Sequence, residues 1–578
     1  MTKEHLISLI TTAIMQAQQA GDLAPITSIP TIVIDAPKNR EHGDYASNIA
    51  LILAKPLKLP PRVLADVIVK HIKAADAQSS SPGIQGIEIA GPGFINFKLD
   101  AGWLPRVLLD IEGQAERFGF SDSGQGKKVL VEYVSANPNG PITVAHGRGG
   151  AIGDAVASLL SAVGFDVTRE FYVNDALNST QMNNFARSVF YRYQQLFDEQ
   201  LAKDDPYGDA EWLYGGDYIR DIAIEFRDRY GDEYAGIDLQ NDEAIALLRE
   251  HVMNGTIDQQ KVDLAAFGVF FDSWVFESQL YDSGLVKDVI GDLVDRGRTF
   301  EHEGALWFRS TEFGDDKDRV IQRSNGTYTY IAGDMAYHRE KIHRGFDLLV
   351  DIWGADHGGY VARTKASLEA LGFDKDRLKI LLFQLVRILK DGEMVRSSKR
   401  RGNILELKAD LIDEIGKDAA RFFFLMRSSD VPLDIDVDLA KEQSAKNPVF
   451  YVQYAHARTC SVFEKASQTG IALPLAGDAD LSLLTQQTEI EIVKKLRDFP
   501  DEVAYAARLY EPHHITHYLR ELAALFHTFY DAGNNESNLR VLCDDDKLRD
   551  ARLVLTSAVR TVIRNALGIL GLSAPVKM

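Results

Sequence analysis

One histidine, a neighbouring arginine and a run of glycines stand where a chain could grip phosphate. They lie in SANPNGPITVAHGRGG, residues 135–150, just after the apolar, β-branched run KVLVEYV. Such a run reads as a buried parallel strand, and Pro138, Gly140 and Pro141 forbid it to continue. A helix should then begin near His146. At that point Gly147, Gly149 and Gly150 would let a nucleotide approach the backbone, the first turn would offer unpaired N–H groups, and His146 and Arg148 would add donors. The plain alternative is a tight strand-to-helix turn with a surface histidine. A second segment, LKDGEMVRSSKRRGNILEL, sets Arg396, Ser397, Ser398, Lys399, Arg400, Arg401 and Gly402 in a polar loop between apolar runs. It could close on a triphosphate, or be no more than a solvated basic turn.

The elements that must position these groups follow from periodicity. Residues 1 to about 110 alternate helix and strand, a small α+β unit. Strand KVLVEYV, helix GRGGAIGDAVASLLSAVG, strand DVTREFYV and helix NNFARSVFYRYQQLFDEQL then make a βαβ unit. Residues from about 200 to 300 read as acidic, aromatic and mostly helical. The strand in FDLLVDIWGADH ends at Gly354-Ala355-Asp356-His357, before ILLFQLVRIL. Ligands of open parallel sheets sit at the carboxyl ends of the strands, where both candidate segments fall. From about 408 the pattern is helical to the end, an all-α bundle. In it Tyr451, Tyr454, Ala455 and Arg458 share one helix face, as a core stripe or as a surface for stacking on unpaired bases.

Composition narrows the function classes. Asp and Glu outnumber Lys and Arg by 84 to 64, a net charge of −20, which argues against indiscriminate binding to DNA or RNA. Two cysteines, Cys460 and Cys543, without ligand or pairing spacing suit a reducing cytosol and read as small buried hydrophobes. No apolar run approaches the ~20 residues of a membrane span. A cytoplasmic protein of three or four domains, away from membranes, is expected.

The finer strings decide more. HGDYASNIAL, GPGFINFKL, VEYVSANPNGP, REFYVNDALNSTQ, YTYIAGDMAYH, WGADHGGYVAR, DAARFFFLMR, NPVFYVQYAHAR and NALGILGLSAPVKM run in an order and spacing that resemble the bacterial arginyl-tRNA synthetases, class I aminoacyl-tRNA synthetases, over nearly the whole chain. TVAH and RSSK resemble the two class I signatures in degenerate form. Thr143 stands for the first histidine, Ala145 for the glycine, Arg396 for the first lysine and Ser397 for the methionine.

The resemblance implies an α/β, Rossmann-like parallel-sheet catalytic domain over 111–407 with a helical insertion at about 195–300. It adds a small α+β N-terminal domain over 1–110 that contacts tRNA, and an all-α anticodon-binding bundle over 408–578. It implies attachment of L-arginine to its tRNA through an arginyl-adenylate, with ATP, phosphate-bound Mg²⁺ and no protein-held metal, with tRNA bound before the first step, in a monomer. Thr143, Ala145, His146, Gly147, Gly149, Ser398 and Lys399 would hold ATP; His146, Lys399 and Arg396 would stabilise the developing phosphate charge, with help from Arg400.

A guanidinium is best held bidentately by a carboxylate. Family matching places Glu132, Ser135, Asn137, Glu277, Tyr330 and Asp334 around the amino acid. Asp356 and His357 would hold ribose or amino acid, unless they merely cap a helix. Tyr451, Tyr454 and Arg458 would meet tRNA. Rival readings are a class I synthetase for another amino acid, a non-catalytic tRNA-binding paralogue, or a metabolic nucleotidyl-transfer enzyme using the same phosphate turn.

Overall fold

The computed structural model describes the whole chain except residues 1–2, 27, 36, 38–42, 78–83, 100–101, 176–179, 209, 240 and 396–404. Its first unit sets helices Lys3–Gln19, Ile49–Leu57 and Pro61–Ala77 against an antiparallel sheet of β1 (Ile34–Asp35), β2 (Tyr45–Ser47), β3 (Ile84–Ala90) and β4 (Phe94–Leu99), in the order β1-β2-β4-β3. The helices Lys3–Gln19 and Pro61–Ala77 bury one apolar stripe each, including Leu6, Ile10 and Ile14 from the first and Leu64, Ile68 and Ile72 from the second.

A five-stranded parallel sheet forms the centre. Its strands are β5 (Lys128–Glu132), β6 (Asp166–Val173), β7 (Ser273–Phe276), β11 (Leu348–Gly354) and β12 (Leu378–Phe383), in the order β12-β11-β5-β6-β7. The order reverses between β5 and β11, so the crevice for a ligand lies beyond the carboxyl ends there. Helix Val144–Ala162 follows β5 and packs so closely that a Cβ on Gly153 would stand 2.5 Å from that of Tyr133.

Between β6 and β7, helices Thr180–Gln195, Asp217–Tyr230 and Asp242–Ala266 close over a core of their own that contains Phe185, Val189, Phe226 and Leu248. The stretch expected to be helical to about 300 thus also contains β7, the edge strand of the main sheet. A small antiparallel sheet of β8 (Thr299–His302), β9 (Ala305–Phe308) and β10 (Arg319–Gln322) precedes helix Tyr330–His343. After β12 come β13 (Val386–Lys390) and β14 (Glu393–Met394). The region expected to be wholly helical from 408 opens differently: β15 (Leu433–Asp436) pairs in parallel with β13. The cause is local, since Leu433 and Ile435 are buried and Asp434 is exposed, a period of two.

The C-terminal bundle is built from helices Pro448–Gln468, Gln487–Arg497, Phe499–Leu509, His513–Asn535 and Asp546–Ile569. Asn447 and Asp545 cap the first and last of them, and Pro448 takes the first helical position, where no N–H is needed. No helix among the described residues is long and apolar enough to cross a membrane.

One buried cation joins bundle to sheet. Arg421, wholly buried on helix Lys417–Leu425, donates to Asp154 Oδ2 on helix Val144–Ala162 at 2.6 Å and to the Leu570 carbonyl at 2.9 Å. The N-terminal unit docks on the same bundle, with Tyr45 donating to Asp498 at 2.9 Å and Lys494 paired with Asp44 at 2.7 Å. Removing one partner of a buried pair leaves the other stranded in low dielectric, at about 3–5 kcal/mol. Arg421→Met should therefore lower the urea concentration at which the chain unfolds by an amount equivalent to about 3 kcal/mol or more; an unchanged curve would show that the clamp is not needed.

Candidate active site

Three acids that sequence alone leaves scattered stand side by side on the central sheet. Asp351 on β11 pairs in register with Glu132 on β5, which pairs in register with Glu170 on β6. All three are buried. Helix Tyr330–His343 and the residue after it lie across them. Lys341 donates to Glu132 Oε2 at 2.5 Å and to Asp351 Oδ1 at 2.9 Å. Arg344 donates to both Glu170 oxygens at 2.6 and 2.8 Å, and Tyr337 donates to Glu170 Oε1 at 2.7 Å.

His338 faces the Asp351 carboxylate with Nε2 and the Asp334 carbonyl with Nδ1, each at 2.8 Å. Three carboxylates thus meet the cations Lys341 and Arg344, with Tyr337 and His338 beside them. Burial would raise the Asp351 carboxyl, but Lys341 and His338 outweigh it and hold it down at about 2. Burial likewise opposes Glu170, and Arg344, Lys341 and Ser273 still keep it low. Glu132, sharing Lys341 with a second acid, is pushed up by burial.

The acids expected at the ligand rise from this base. Asp334 stands one helical turn before His338, with Tyr330 one turn earlier still and more than half exposed. Burial raises the Asp334 carboxyl, against the pull of His338, Arg363 and His357. Glu277 opens helix Glu277–Asp282 directly after β7 and is 3% exposed. Its carboxylate abuts the Tyr330 helix at Gly333, where a Cβ would lie 3.3 Å from Glu277 Oε1 and 3.1 Å from the Tyr281 hydroxyl. Tyr172 and Tyr281 stay protonated far up the scale, through burial and then the nearby Glu277 and Asp334. Two carboxylates and the tyrosines Tyr172, Tyr281 and Tyr330 therefore converge.

Ser135 lies behind them on strained backbone. Val134 and Ser135 have φ of 69° and 40°, a region that a β-branched valine avoids. The Ser135 hydroxyl donates to Glu132 Oε1 at 2.8 Å and accepts from the Tyr172 N–H at 3.2 Å. Glu132 is thus committed to Lys341 and Ser135 and stands beneath the crevice. Asn137 donates to Gln181 at 2.8 Å, and its carbonyl accepts from the buried Gln260 at 3.1 Å. Asp356 and His357 sit exposed on the turn after β11, 3.6 Å apart, and helix Val361–Ala370 begins without a side-chain cap.

The phosphate turn is organised by Thr143. Its hydroxyl accepts from the His146 N–H at 3.4 Å and its own N–H donates to His146 Nδ1 at 3.2 Å, closing the first turn from both sides. An accepting Nδ1 leaves the proton of a neutral ring on Nε2, as a donor. Ala145 is exposed beside it. The turn is tied to the exit of the basic loop, with Val144 N–H on the Leu405 carbonyl at 2.9 Å and Leu407 N–H on the Ile142 carbonyl at 2.8 Å. Arg396, Ser398, Lys399 and Arg400 themselves lie outside the described residues.

Two readings of this turn change. Arg148 is no phosphate donor: fully buried, it donates to the carbonyls of Gln384, Ser428 and Val431 at 2.8 to 3.0 Å. The glycines serve protein packing, for a Cβ on Gly147 would stand 2.4 Å from Leu407 and one on Gly149 2.9 Å from Phe383.

On the bundle, Tyr454 is 36% exposed and stacks on Phe450 with ring centroids 5.7 Å apart. Arg458 is held between the Tyr454 and Tyr530 rings, paired with Asp531 at 3.2 Å and donating to His527 Nδ1 at 2.9 Å. Tyr451 packs beside His527 and is half-buried.

Sequence reasoning missed Tyr172, Tyr281, His338, Lys341 and Asp351. It also missed Asp175, whose carboxylate accepts from the Ser278 N–H at 2.8 Å and hydroxyl at 2.6 Å and so caps the helix that Glu277 opens. One signal was available: each expected core strand, VLVEYV, VTREFYV and LLVDIW, contains an acid.

A parallel sheet with its crevice at the β5/β11 switch point, an anchored histidine turn and a helical bundle define a class I aminoacyl-tRNA synthetase. Residues 112–442 match the family described as tRNA synthetases class I (R), catalytic domain, residues 452–578 the DALR anticodon binding domain, and residues 4–99 the arginyl tRNA synthetase N terminal domain. The chain belongs to the arginyl-tRNA synthetase family. It is 45% identical to the arginine–tRNA ligase of Moorella thermoacetica, over 100% of this chain and 99% of the relative. With that of Citrifermentans bemidjiense it is 47% identical over 95% of each. The fold is that of the Thermus thermophilus arginyl-tRNA synthetase, with a TM-score of 0.75, 21% identity and both chains covered completely.

The ion row sets an acid limit on stability. Asp351 and Glu170 lie below their ordinary values of 3.8 and 4.5, so the stability they supply is present above those values and is lost as pH falls through the folded ones. Glu132, raised, acts in the opposite sense. Urea midpoints should fall between about pH 4 and 2, and more shallowly in Asp351→Asn; equal slopes would remove Asp351 as a cause.

Proposed function

We propose that the chain attaches L-arginine to its cognate tRNA in two steps. The arginine carboxylate attacks the α-phosphorus of ATP and expels pyrophosphate; the 2′-hydroxyl of the terminal tRNA adenosine then takes the arginyl group from the adenylate and releases AMP. The observation that carries this reading is the convergence of Glu277 and Asp334 with three tyrosines, a set of acceptors for a permanently charged, planar guanidinium. Tyr330 closes the outer side. Ser135 and Asn137 orient the amino-acid end from the strained β5 loop, with Glu132 fixing Ser135 from below. Asp356 and His357, exposed at the edge of β11, meet the ribose or the amino group.

No protein nucleophile is required. Catalysis is positioning and charge stabilisation. His146 offers its Nε2 proton to the phosphates from the first turn of helix Val144–Ala162, beside Thr143, Ala145, Gly147 and Gly149. Lys399, Ser398 and Arg396 close over the triphosphate from a loop whose far end is fastened to Val144. Among the described residues the crevice holds no group of three His, Cys or acid donors close enough to chelate an ion. Mg²⁺ fits as a phosphate-bound, largely hydrated ion and would supply charge neutralisation of the triphosphate. The bundle receives the anticodon, with Tyr454 as the stacking face and Tyr451 and Arg458 holding it.

Charging of total tRNA with labelled arginine tests the reading directly. Truncating one partner of a desolvated, hydrogen-bonded charge pair costs about 2–5 kcal/mol, so Asp334→Asn and Glu277→Gln should each lower kcat/KM for arginine by roughly 30-fold or more. Unchanged kcat/KM in both would remove Glu277 and Asp334 as the partners of the guanidinium. ATP–pyrophosphate exchange with arginine and no tRNA would refute tRNA binding before the first step. Tyr454→Ala should weaken tRNA binding by about 1–3 kcal/mol, read as Kd, while leaving the KM for ATP alone.

A further inference from the structure

The turn between helices Phe499–Leu509 and His513–Asn535 carries a set of side chains that charging does not use. Glu511, His513 and His514 bring one donor atom each within 4.8 Å of the others. His514 Nε2 lies 2.9 Å from Glu511 Oε2, and His513 Nε2 lies 3.9 Å from the same oxygen. Donors on a four-coordinate zinc ion with bonds of ~2.1 Å stand roughly 3.4 Å apart. The two observed separations bracket that value. The imidazoles are neighbours, with centroids 4.3 Å apart, and His517 follows one turn later at 5.5 Å from His513.

The surroundings suit a cation of small size. A cavity of about 10 Å³ opens beside Glu511 and His513, bounded by Tyr510 and by Arg427 and Ser429 of the catalytic part, with room for one water-sized centre. Asp430 adds negative charge facing His513, against the positive charge of Arg427 on the same wall. One helix ends at Tyr510 and the next begins at His513, so the negative end of one dipole offsets the positive end of the other.

We propose that Glu511, His513 and His514 form a three-ligand site for a divalent transition-metal ion. Two imidazoles and one carboxylate favour Zn²⁺ over Mg²⁺ or Ca²⁺, which need more oxygens. Water completes the coordination. The ion binds at the corner where the bundle meets the Arg427–Asp430 segment.

The test uses the full-length chain stripped with EDTA and titrated with CoCl₂, followed by visible absorption and calorimetry, then with ZnCl₂ in competition. One Co²⁺ per chain with the visible bands of an imidazole-bound site, displaced by Zn²⁺, is expected. His513→Ala and His514→Ala should weaken that binding by more than the roughly 10–100-fold typical of residues that only support ligands. Glu511→Gln, which keeps the side-chain shape, should weaken it as well, and His71→Ala in the N-terminal unit should leave it intact. Absence of one-to-one binding, or equal affinity in both imidazole variants, would overturn the site.

Discussion

Three carboxylates in one row across three strands are the constraint around which this active-site region is arranged. A carboxylate removed from water without a partner costs several kcal/mol even after relaxation, and Asp351, Glu132 and Glu170 are removed together. The helix that covers them must therefore present cations and hydrogen-bond donors at one rotational setting. Tyr337, His338, Lys341 and Arg344 do so from successive turns. Once those contacts fix the second half of the helix, its first half is fixed too. Asp334 and Tyr330 lie on the same face, one and two turns before His338, beyond the sheet's carboxyl edge. The placement of both side chains at the crevice is thus set by charge balance beneath it.

The same logic repeats at each acid that faces the crevice. Asp334 is steadied through its carbonyl by His338, which answers to Asp351. Glu277 begins a helix whose first turn is capped from another chain segment by Asp175. Ser135, on a backbone few residues adopt, is retained by Glu132 below and Tyr172 beside it. Each of these three groups has a buried acid behind it. Strain at Val134 and Ser135 persists because these bonds over-determine the loop.

How much of this was legible in the sequence depends on which physical signal carried it. Apolar runs located β5, β6, β11 and β12, and the histidine turn follows β5. Membership of the family followed from the ordered strings. The ion row was illegible as a row, because register is a property of pairing between strands and each acid looked like a lone polar residue. Glycines mislead in a related way: Gly147 and Gly149 are small to admit Leu407 and Phe383, and a sequence does not say which side of a helix is crowded. Arg148 looked like a donor in a phosphate turn, yet three carbonyls from other segments enclose it. β15 was hidden by four residues of alternating burial inside a helical region, too short for periodicity to resolve.

Helix Val144–Ala162 is where the parts of the molecule meet. Its first turn carries His146 and is hydrogen-bonded to Leu405 and Leu407 beyond the basic loop. One of its middle residues, Asp154, takes the Arg421 guanidinium that also holds the carbonyl of Leu570 at the end of the bundle. Behind Arg421 the chain terminus is gathered in as well, with Gln453 donating to Asp418 at 2.7 Å and to the Ser573 carbonyl at 3.0 Å, and His456 facing the Pro575 carbonyl. The histidine turn, residues 405–407 and the C-terminal bundle are therefore all tied to this one helix. Since a buried guanidinium has no solvent to replace a lost partner, the bundle cannot shift against the sheet without either breaking these bonds or carrying that helix with it.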